Sequence, residues 1–498
     1  MAEREQWRSR IGFIFAAVGS AVGVGNIWRF PYMAYENGGG AFLIPYFFAL
    51  LTAGIPLLVL EFGVGRRYKG SAPVALFGAV KKKGGEWLGW WQVLVTFVLS
   101  TYYVVVIAWA LSYFFLAFNR GWGDMPGDYF FKKFLDISPS PLALGPIKYP
   151  ILIATLTVWA MNWTALFIGV RRGIERANKI IMPLLLALFL IMLGRAVTLP
   201  RAAEGLQWFF EPDFASITNY KVWAEAYGQI FFSLGVGFAI MITYSSYLPD
   251  GSDINNNAFI TGLINCGFSL LSGIVIFGVL GHMAAHQGVG VDKVISSGVG
   301  LAFVTIPTAI NMLPASLLFG TLFFLALFFA GLSSLMSITE ACCAAIMDKF
   351  GWSRRFASSA VTGAAVFLSL LFVTRAGLSI LDIVDHFINN YGIIFTGLVE
   401  VILLAWWGRL DSIRDQVNLT SDFPIGAWWN FCLKVVTPIV LGYMAVANLV
   451  GDVRKNYGNY PQRALLLYGW GVVVIIFVLA FMLPKSGRDF AKRLNSPS

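Results

Sequence analysis

Twelve apolar runs leave this chain almost no choice of fold class. They fall at 11–36, 41–68, 88–119, 149–170, 174–197, 223–248, 256–285, 314–348, 355–374, 378–407, 430–451 and 464–483. Each is near or above the roughly 20 residues that an α-helix needs to cross a bilayer. Lipid offers backbone N–H and C=O groups no partner, so such segments cross as helices. Of the 498 residues only 12% are charged, against about 25% in a soluble domain, and the stretches between the runs are too short to form one. The sequence therefore predicts an all-α polytopic membrane protein with twelve transmembrane helices in one domain, 1–498.

Charge sets the topology. An even number of spans puts both termini on one side, and that side receives 23 of the 36 lysines and arginines. The clusters Lys81-Lys82-Lys83, Arg171/Arg172/Arg176/Lys179 and Lys485 to Arg493 make the bias local. By the positive-inside rule both termini are cytoplasmic, in a multi-pass protein of the plasma (inner) membrane. The net charge of +10 is then ordinary topology, which calls for a lipid bilayer as partner and for no nucleic acid. One loop dissents: 249–255 belongs to the basic side yet carries Asp250 and Asp253 and no cation. Between spans, 120–148 holds four prolines and reads as extended or turned. Trp208 in 198–222 reads as an interface anchor. The segment Val291 to Ile306 is apolar but too short to span, and reads as a re-entrant or surface-lying hairpin. Cys266, Cys342, Cys343 and Cys432 all lie in or at apolar runs, so they read as small core residues rather than a disulfide framework.

The first run is a poor helix. Gly19, Gly23 and Gly25 each cost about 1 kcal/mol against alanine in a helix interior, and Asn26 and Arg29 follow at once, where lipid penalises both. A helix broken at membrane depth exposes carbonyls for a cation and amides for an anion, and survives only buried in protein or lining a wet cavity. A glycine-lined helix-packing face is the rival reading; Asn26 and Arg29 speak against it. Gln229-Ile230-Phe231-Phe232-Ser233-Leu234-Gly235-Val236-Gly237 repeats the pattern in the sixth run. Two such interruptions in corresponding positions of two halves are the sequence mark of a transporter site. Further polar residues inside runs include Glu61, Tyr102, Tyr103, Asn265, Ser269, Ser333, Ser334, Glu340, Asp382, Asp385 and Glu400.

Those residues carry a resemblance. Gly23-Val24-Gly25-Asn26-Ile27-Trp28-Arg29-Phe30-Pro31, Glu36-Asn37-Gly38-Gly39-Gly40-Ala41-Phe42, Gly54-Ile55-Pro56-Leu57 with Glu61, Gly173-Ile174-Glu175-Arg176 and Ala330-Gly331-Leu332-Ser333-Ser334 resemble the signature of the neurotransmitter:sodium symporter family, over essentially the whole chain. The short outer loop between spans three and four is similar to bacterial amino-acid transporters of that family. The resemblance implies a 5+5 inverted repeat (the LeuT-type fold). Helices 1–5 (11–197) would face helices 6–10 (223–407), helices 11–12 (430–483) would follow, and helices 1 and 6 would be unwound.

It also implies two sodium ions. The first would use Ala21, Asn26, Ser233 and Asn265 with the substrate carboxylate; the second Gly19, Val22, Ala330, Ser333 and Ser334. Uncharged oxygens suit a hard cation, and a carboxylate shared between substrate and ion couples the two affinities. Amides near Val24 and Gly25 and the Tyr103 hydroxyl would hold the substrate carboxylate. Carbonyls of spans one and six, with Ser334, would hold its ammonium. Leu99, Phe232, Phe238 and Ile338 would contact its side chain, and Ser20, Ala21, Ser233 and Gly235 would complete the pocket. Ser20 stands where some bacterial relatives have asparagine. Monoamine carriers have an aspartate at Gly23, so the implied substrate is an amino acid. Chloride is a candidate co-ion at Tyr46, Gln229, Ser233, Asn265 and Ser269, with a carboxylate such as Glu61 as the alternative source of negative charge. Gates would be Arg29 with Asp385, by way of Phe238 and Tyr103, and Arg4 with Asp348 near Tyr247.

The expectation is thus a sodium-coupled symporter importing a large or aromatic hydrophobic L-amino acid by alternating access. A carrier of a small neutral or glycine-like amino acid and a non-transporting sensor are the alternatives. A channel lacks its filter repeat. An enzyme lacks a nucleophile and base or a metal cluster: His282 and His286 are four apart, but no glutamate follows His282. The sequence leaves oligomeric state open.

Overall fold

The structure, a computed structural model, describes residues 5–296, 298–408 and 410–490. Among them every regular element is helical. The first run is split into α1 (Arg10–Ala21) and α2 (Val24–Glu36), bent by 52° at the break. Among the described residues nine helices are long and apolar enough to cross a membrane: α3 (Gly40–Tyr68), α4 (Lys83–Ala117), α5 (Tyr149–Ile168), α6 (Val170–Val197), α9 (Ile254–Gln287), α10 (Ser316–Phe350), α12 (Gly377–Trp407), α13 (Ala427–Asn459) and α14 (Gln462–Lys485). The bent pair makes ten.

Two of the twelve expected runs differ. The sixth is divided into α7 (Tyr220–Leu234) and the six-residue α8 (Ile240–Ser245), because Gly235 and Gly237 take φ of +64° and +82°, outside any helix. The ninth is α11 (Arg354–Ser369), only 16 residues. At 1.5 Å per residue it spans about 24 Å, short of the ~30 Å hydrocarbon layer.

The two longest helices, α4 and α10, make the most extensive pairing among the described residues, and α1, α5, α6, α8 and α11 pack around them. The core is therefore at the middle of the bundle. Large apolar side chains such as Ile191, Leu318, Val446 and Ile475 point outward, an arrangement that only a lipid solvent makes favourable.

Loops refine the expectations. In 120–148 a short helix starts at Pro126, where the missing N–H costs nothing. Trp208 lies half-exposed on the helix Ala202–Phe210, against Tyr35. Gly298–Met312 is an apolar helix too short to span, and its Phe303 inserts among Trp109, Tyr113 and Phe130. The four cysteines are buried.

The dissenting acidic loop explains itself in three dimensions. Asp250 pairs with Lys69 at 2.9 Å and Asp253 with Arg10 at 3.6 Å, while Arg66 donates to the carbonyl of Asp250. The loop's cations come from other segments. Hydrogen bonding and attraction to Lys69 hold the Asp250 carboxyl below the usual carboxylate range.

Candidate functional site

The two helix breaks face each other across a cavity of 50 Å³. At the first, Gly23 is extended (φ −119°, ψ −171°) between α1 and α2. Its N–H donates to Asn26 Oδ1 at 2.9 Å, so the asparagine at the third position of α2 reaches back to satisfy the capping residue's amide. Glycine is required here by space. A Cβ on Gly23 would lie 3.0 Å from Ser334 Oγ and 3.1 Å from the Tyr103 hydroxyl, and one on Gly25 3.0 Å from the Phe232 ring. The first amides of α2 point into the cavity region, with Val24 N–H 3.5 Å from the Tyr103 hydroxyl.

At the second break, Gly235 to Ala239 carries the chain from α7 to α8. Two side chains hold it. Glu61 accepts the Gly237 N–H at 2.6 Å, and Thr96 Oγ1 donates to the Phe238 carbonyl at 2.8 Å. Glu61 thus belongs to this backbone turn, not to the Ser269 cluster where it was weighed as an alternative to chloride. Thr96 was missed altogether: a lone threonine in an apolar helix gives no signal distinguishing it from one bonded to its own backbone.

Asn26 ties both breaks to α9. Its amide nitrogen lies 3.0 Å from Ser233 Oγ, 2.9 Å from Asn265 Oδ1 and 2.8 Å from Ser269 Oγ. Asn265 Nδ2 donates to Ser233 at 2.7 Å, and the Tyr46 hydroxyl reaches Ser269 at 3.4 Å. Gln229 is fully buried, and neither its amide oxygen nor its amide nitrogen has a partner among the described residues. An unpaired buried amide is costly, and both the donor and the acceptor capacity of this one are left over.

On the other side of α1, Ser334 Oγ lies 3.1 Å from the Ser20 carbonyl, 3.4 Å from that of Gly19 and 3.2 Å from that of Ala330. Ser333 donates to the Ala330 carbonyl at 2.9 Å. Val22 is the first residue past α1, at the break itself. These are neutral oxygens, the donor type that a hard monovalent cation takes. Ser20 Oγ meets Ser337 Oγ at 2.7 Å, so the residue that departs from the relatives' asparagine has its own partner on α10.

The cavity walls are Leu99, Tyr103, Phe232, Phe238, Ile240 and Ile338, with Ser20, Ala21, Gly25, Ser233, Gly235 and Ser334 between them. No charged side chain is among the residues that line it. Every expected pocket residue except Val24 lies on this wall; Ile240, just past the second break, was not foreseen.

A second cavity of 640 Å³ lies between α2, α7, α12 and α13, and Phe232 lines both. The partition is Phe232 rather than Phe238 with Tyr103, and the Arg29 guanidinium sits over its ring, 5.0 Å from the centroid. The expected Arg29–Asp385 pair is not formed. Asp385 accepts from the Tyr102 hydroxyl at 2.9 Å, and Asp382 is held by Tyr457 and Tyr460, each at 3.0 Å. Tyrosine hydroxyls satisfy both carboxylates before the arginine reaches them.

The opposite end, where the chain begins, is sealed. Trp7 donates its backbone N–H to the Tyr247 carbonyl at 3.1 Å and its indole N–H to that of Tyr244 at 2.8 Å. Arg8 N–H reaches Glu175 at 2.8 Å. Tyr247 donates to Glu340 at 2.6 Å, and Arg354 forks onto Glu340 at 2.8 and 3.0 Å. Asp348 accepts the Ser71 N–H at 2.8 Å. Arg4, its expected partner, lies outside the described residues. Tyr247 thus serves a Glu340–Arg354 pair that sequence reasoning left unassigned, because Arg354 lies beyond its span end.

Broken helices meeting at a cavity inside a polytopic bundle define a membrane transporter. The family model described as the sodium:neurotransmitter symporter family matches residues 4–129 and 121–486, so the chain belongs to that family, whose members are sodium-coupled transporters and not enzymes. It is 46% identical to an uncharacterized sodium-dependent transporter of Methanocaldococcus jannaschii, over 97% of this chain and 98% of that protein. It is 28% identical to the sodium- and chloride-dependent taurine transporter of Bos taurus, over 99% of this chain and 87% of that one. It is 29% identical to the sodium-dependent dopamine transporter of Caenorhabditis elegans, over 96% and 85%.

Proposed function

We propose that this protein imports a hydrophobic L-amino acid with sodium, by alternating access through twelve spans built as a 5+5 inverted repeat. In this reading α7 with α8 and α11 complete the twelve, and both termini are cytoplasmic. The observation that carries it is the uncharged cavity between the two breaks. A zwitterion neutralises itself there, whereas an amine such as dopamine brings a charge that no lining side chain balances.

Each part of the substrate has a matching group. The first amides of α2 and the Tyr103 hydroxyl receive the carboxylate, at the positive end of a helix. The last carbonyls of α1 and α7, with Ser334, receive the ammonium. Leu99, Phe238, Ile240 and Ile338 give an apolar side chain its surroundings.

Two sodium ions fit the oxygens on either side of α1. One takes Ala21, Asn26, Ser233, Asn265 and the substrate carboxylate; the other takes Gly19, Val22, Ala330, Ser333 and Ser334. Sharing the carboxylate makes sodium and substrate raise each other's affinity equally. Chloride fits at Tyr46, Gln229, Ser233, Asn265 and Ser269, where Gln229 has amide hydrogens to give. With the far cavity open to Phe232 and the N-terminal end closed by Trp7, the state described is one that receives substrate from outside.

Cavity volume favours a second reading. A water occupies about 10–15 Å³ on this measure, so 50 Å³ holds roughly four waters and suits a small amino acid without movement of Phe232. Uptake into sodium-free proteoliposomes diluted into sodium medium, with tryptophan, phenylalanine, leucine, glycine and taurine as competitors, tests both. Winning competition by leucine or an aromatic supports the first, and by glycine the second. Saturable binding without accumulation would make the protein a sensor, and sodium-independent uptake would overturn the symport.

A further inference from the structure

Away from the transport pathway, a cavity of 450 Å³ lies between the first turn of α4 and the last turn of α14. Lys83 opens α4 and Lys485 closes α14, and both line it. Its walls are otherwise apolar: Trp87 from α4 stands edge-on to Phe477 of α14 at 6.0 Å, and Phe481 continues the wall. Gly84 leaves the groove open, since a Cβ there would meet nothing within 4 Å.

The charges do not balance. Neither lysine has a carboxylate partner among the described residues, and no acid lines the cavity. Glu86, in the first turn of α4, is buried and already paired with Lys349 at 2.6 Å. Lys349 in turn donates to the carbonyls of Pro484 at 3.3 Å and Arg488 at 3.0 Å, which fixes the chain just past the groove. The Lys485 ammonium rests 4.5 Å from the centroid of the Phe481 ring. Two cations thus crown one apolar slot at the ends of two helices long enough to cross a membrane. Basic pockets between helices at that depth hold lipid headgroups.

We propose that this groove binds an anionic phospholipid, its phosphate between Lys83 and Lys485 and an acyl chain along Trp87, Phe477 and Phe481. The lipid joins α14, whose sides are largely exposed, to α4 at the centre of the bundle.

Full-length protein in neutral detergent, titrated with phosphatidylglycerol or phosphatidylcholine, provides the test, read by melting temperature and by lipid retained in native mass spectrometry. Phosphatidylglycerol should raise the melting temperature with concentration, and phosphatidylcholine should not. Each lysine near an anionic headgroup contributes about fivefold in affinity, so the Lys83→Ala/Lys485→Ala double variant should bind about thirtyfold more weakly. Gly84→Leu keeps both lysines and blocks the slot; it should lose retention while melting like wild type without lipid. Lys81→Ala/Lys82→Ala, basic residues outside the groove, should bind as wild type does. The proposal fails if phosphatidylcholine stabilises equally, if inorganic phosphate reproduces the shift, if Gly84→Leu retains lipid, or if the Lys81/Lys82 variant loses it as strongly as the Lys83/Lys485 one.

Discussion

Asn26→Ala is the most informative single change in this protein. Asn26 is 1% exposed, and its side chain makes the link between the two breaks. Truncation leaves the Gly23 N–H without its acceptor, a buried unpaired donor worth about 1–3 kcal/mol. It also removes the amide's two donor hydrogens from Ser233, Asn265 and Ser269, at about 1 kcal/mol net for each neutral hydrogen bond. The sum is roughly 3–5 kcal/mol, all of it charged to the arrangement that forms the cation and substrate sites. At about 1.4 kcal/mol per decade, apparent sodium affinity should fall by roughly two to three and a half orders of magnitude. The assay is substrate binding to purified protein over a sodium titration, with choline holding ionic strength constant. The melting temperature without sodium separates a local loss from general unfolding. A sodium affinity within threefold of wild type would refute the assignment.

Four further outcomes are expected. Ser269→Glu should support uptake in gluconate medium while wild type loses it there; full wild-type uptake in gluconate removes the chloride site. Gly23→Ala should weaken amino-acid binding about tenfold or more, because the methyl carbon falls 3.0–3.1 Å from Ser334 Oγ and the Tyr103 hydroxyl, and overpacking of this kind costs about 1–3 kcal/mol; competition binding measures it. Arg354→Gln strands the buried Glu340 carboxylate, a loss of about 3–5 kcal/mol, and Glu340→Gln in the same chain should restore much of the melting temperature. The Asp250–Lys69 pair should matter little, under about 1 kcal/mol at neutral pH, since Asp250 is exposed. The Asp250 carboxyl is held low in the folded protein, so this contribution is complete above about pH 4 and fades as pH falls through the folded value; melting of Asp250→Asn against wild type should converge on acidification, and divergence would contradict the pairing.

Much of this protein is written in one-dimensional pattern. Run length and the price of unpaired backbone in lipid determine a helical membrane bundle, with no tertiary information needed. Gly23, Gly235 and Gly237 mark the breaks, because local conformational preference and intramembrane polarity both act over a few residues. What chain order cannot carry is which distant group completes each break. Glu61 and Gly237 are 176 residues apart, Thr96 and Phe238 are 142 apart, and Ser20 meets Ser337 across 317. Buried polar groups must find partners wherever packing brings one within about 3 Å, so the same rule that demands a partner does not name it. The gates show the limit most clearly. The sequence offers Arg29, Asp382 and Asp385 as obvious charges, yet tyrosines from α4 and the α13–α14 region take both carboxylates and leave the arginine over Phe232. The acidic loop at 249–255 is anomalous only along the chain, since Lys69, Arg66 and Arg10 reach it through space. Sequence determined where the helices must break; tertiary packing alone decided what holds each break open and which aromatic ring closes the way to it.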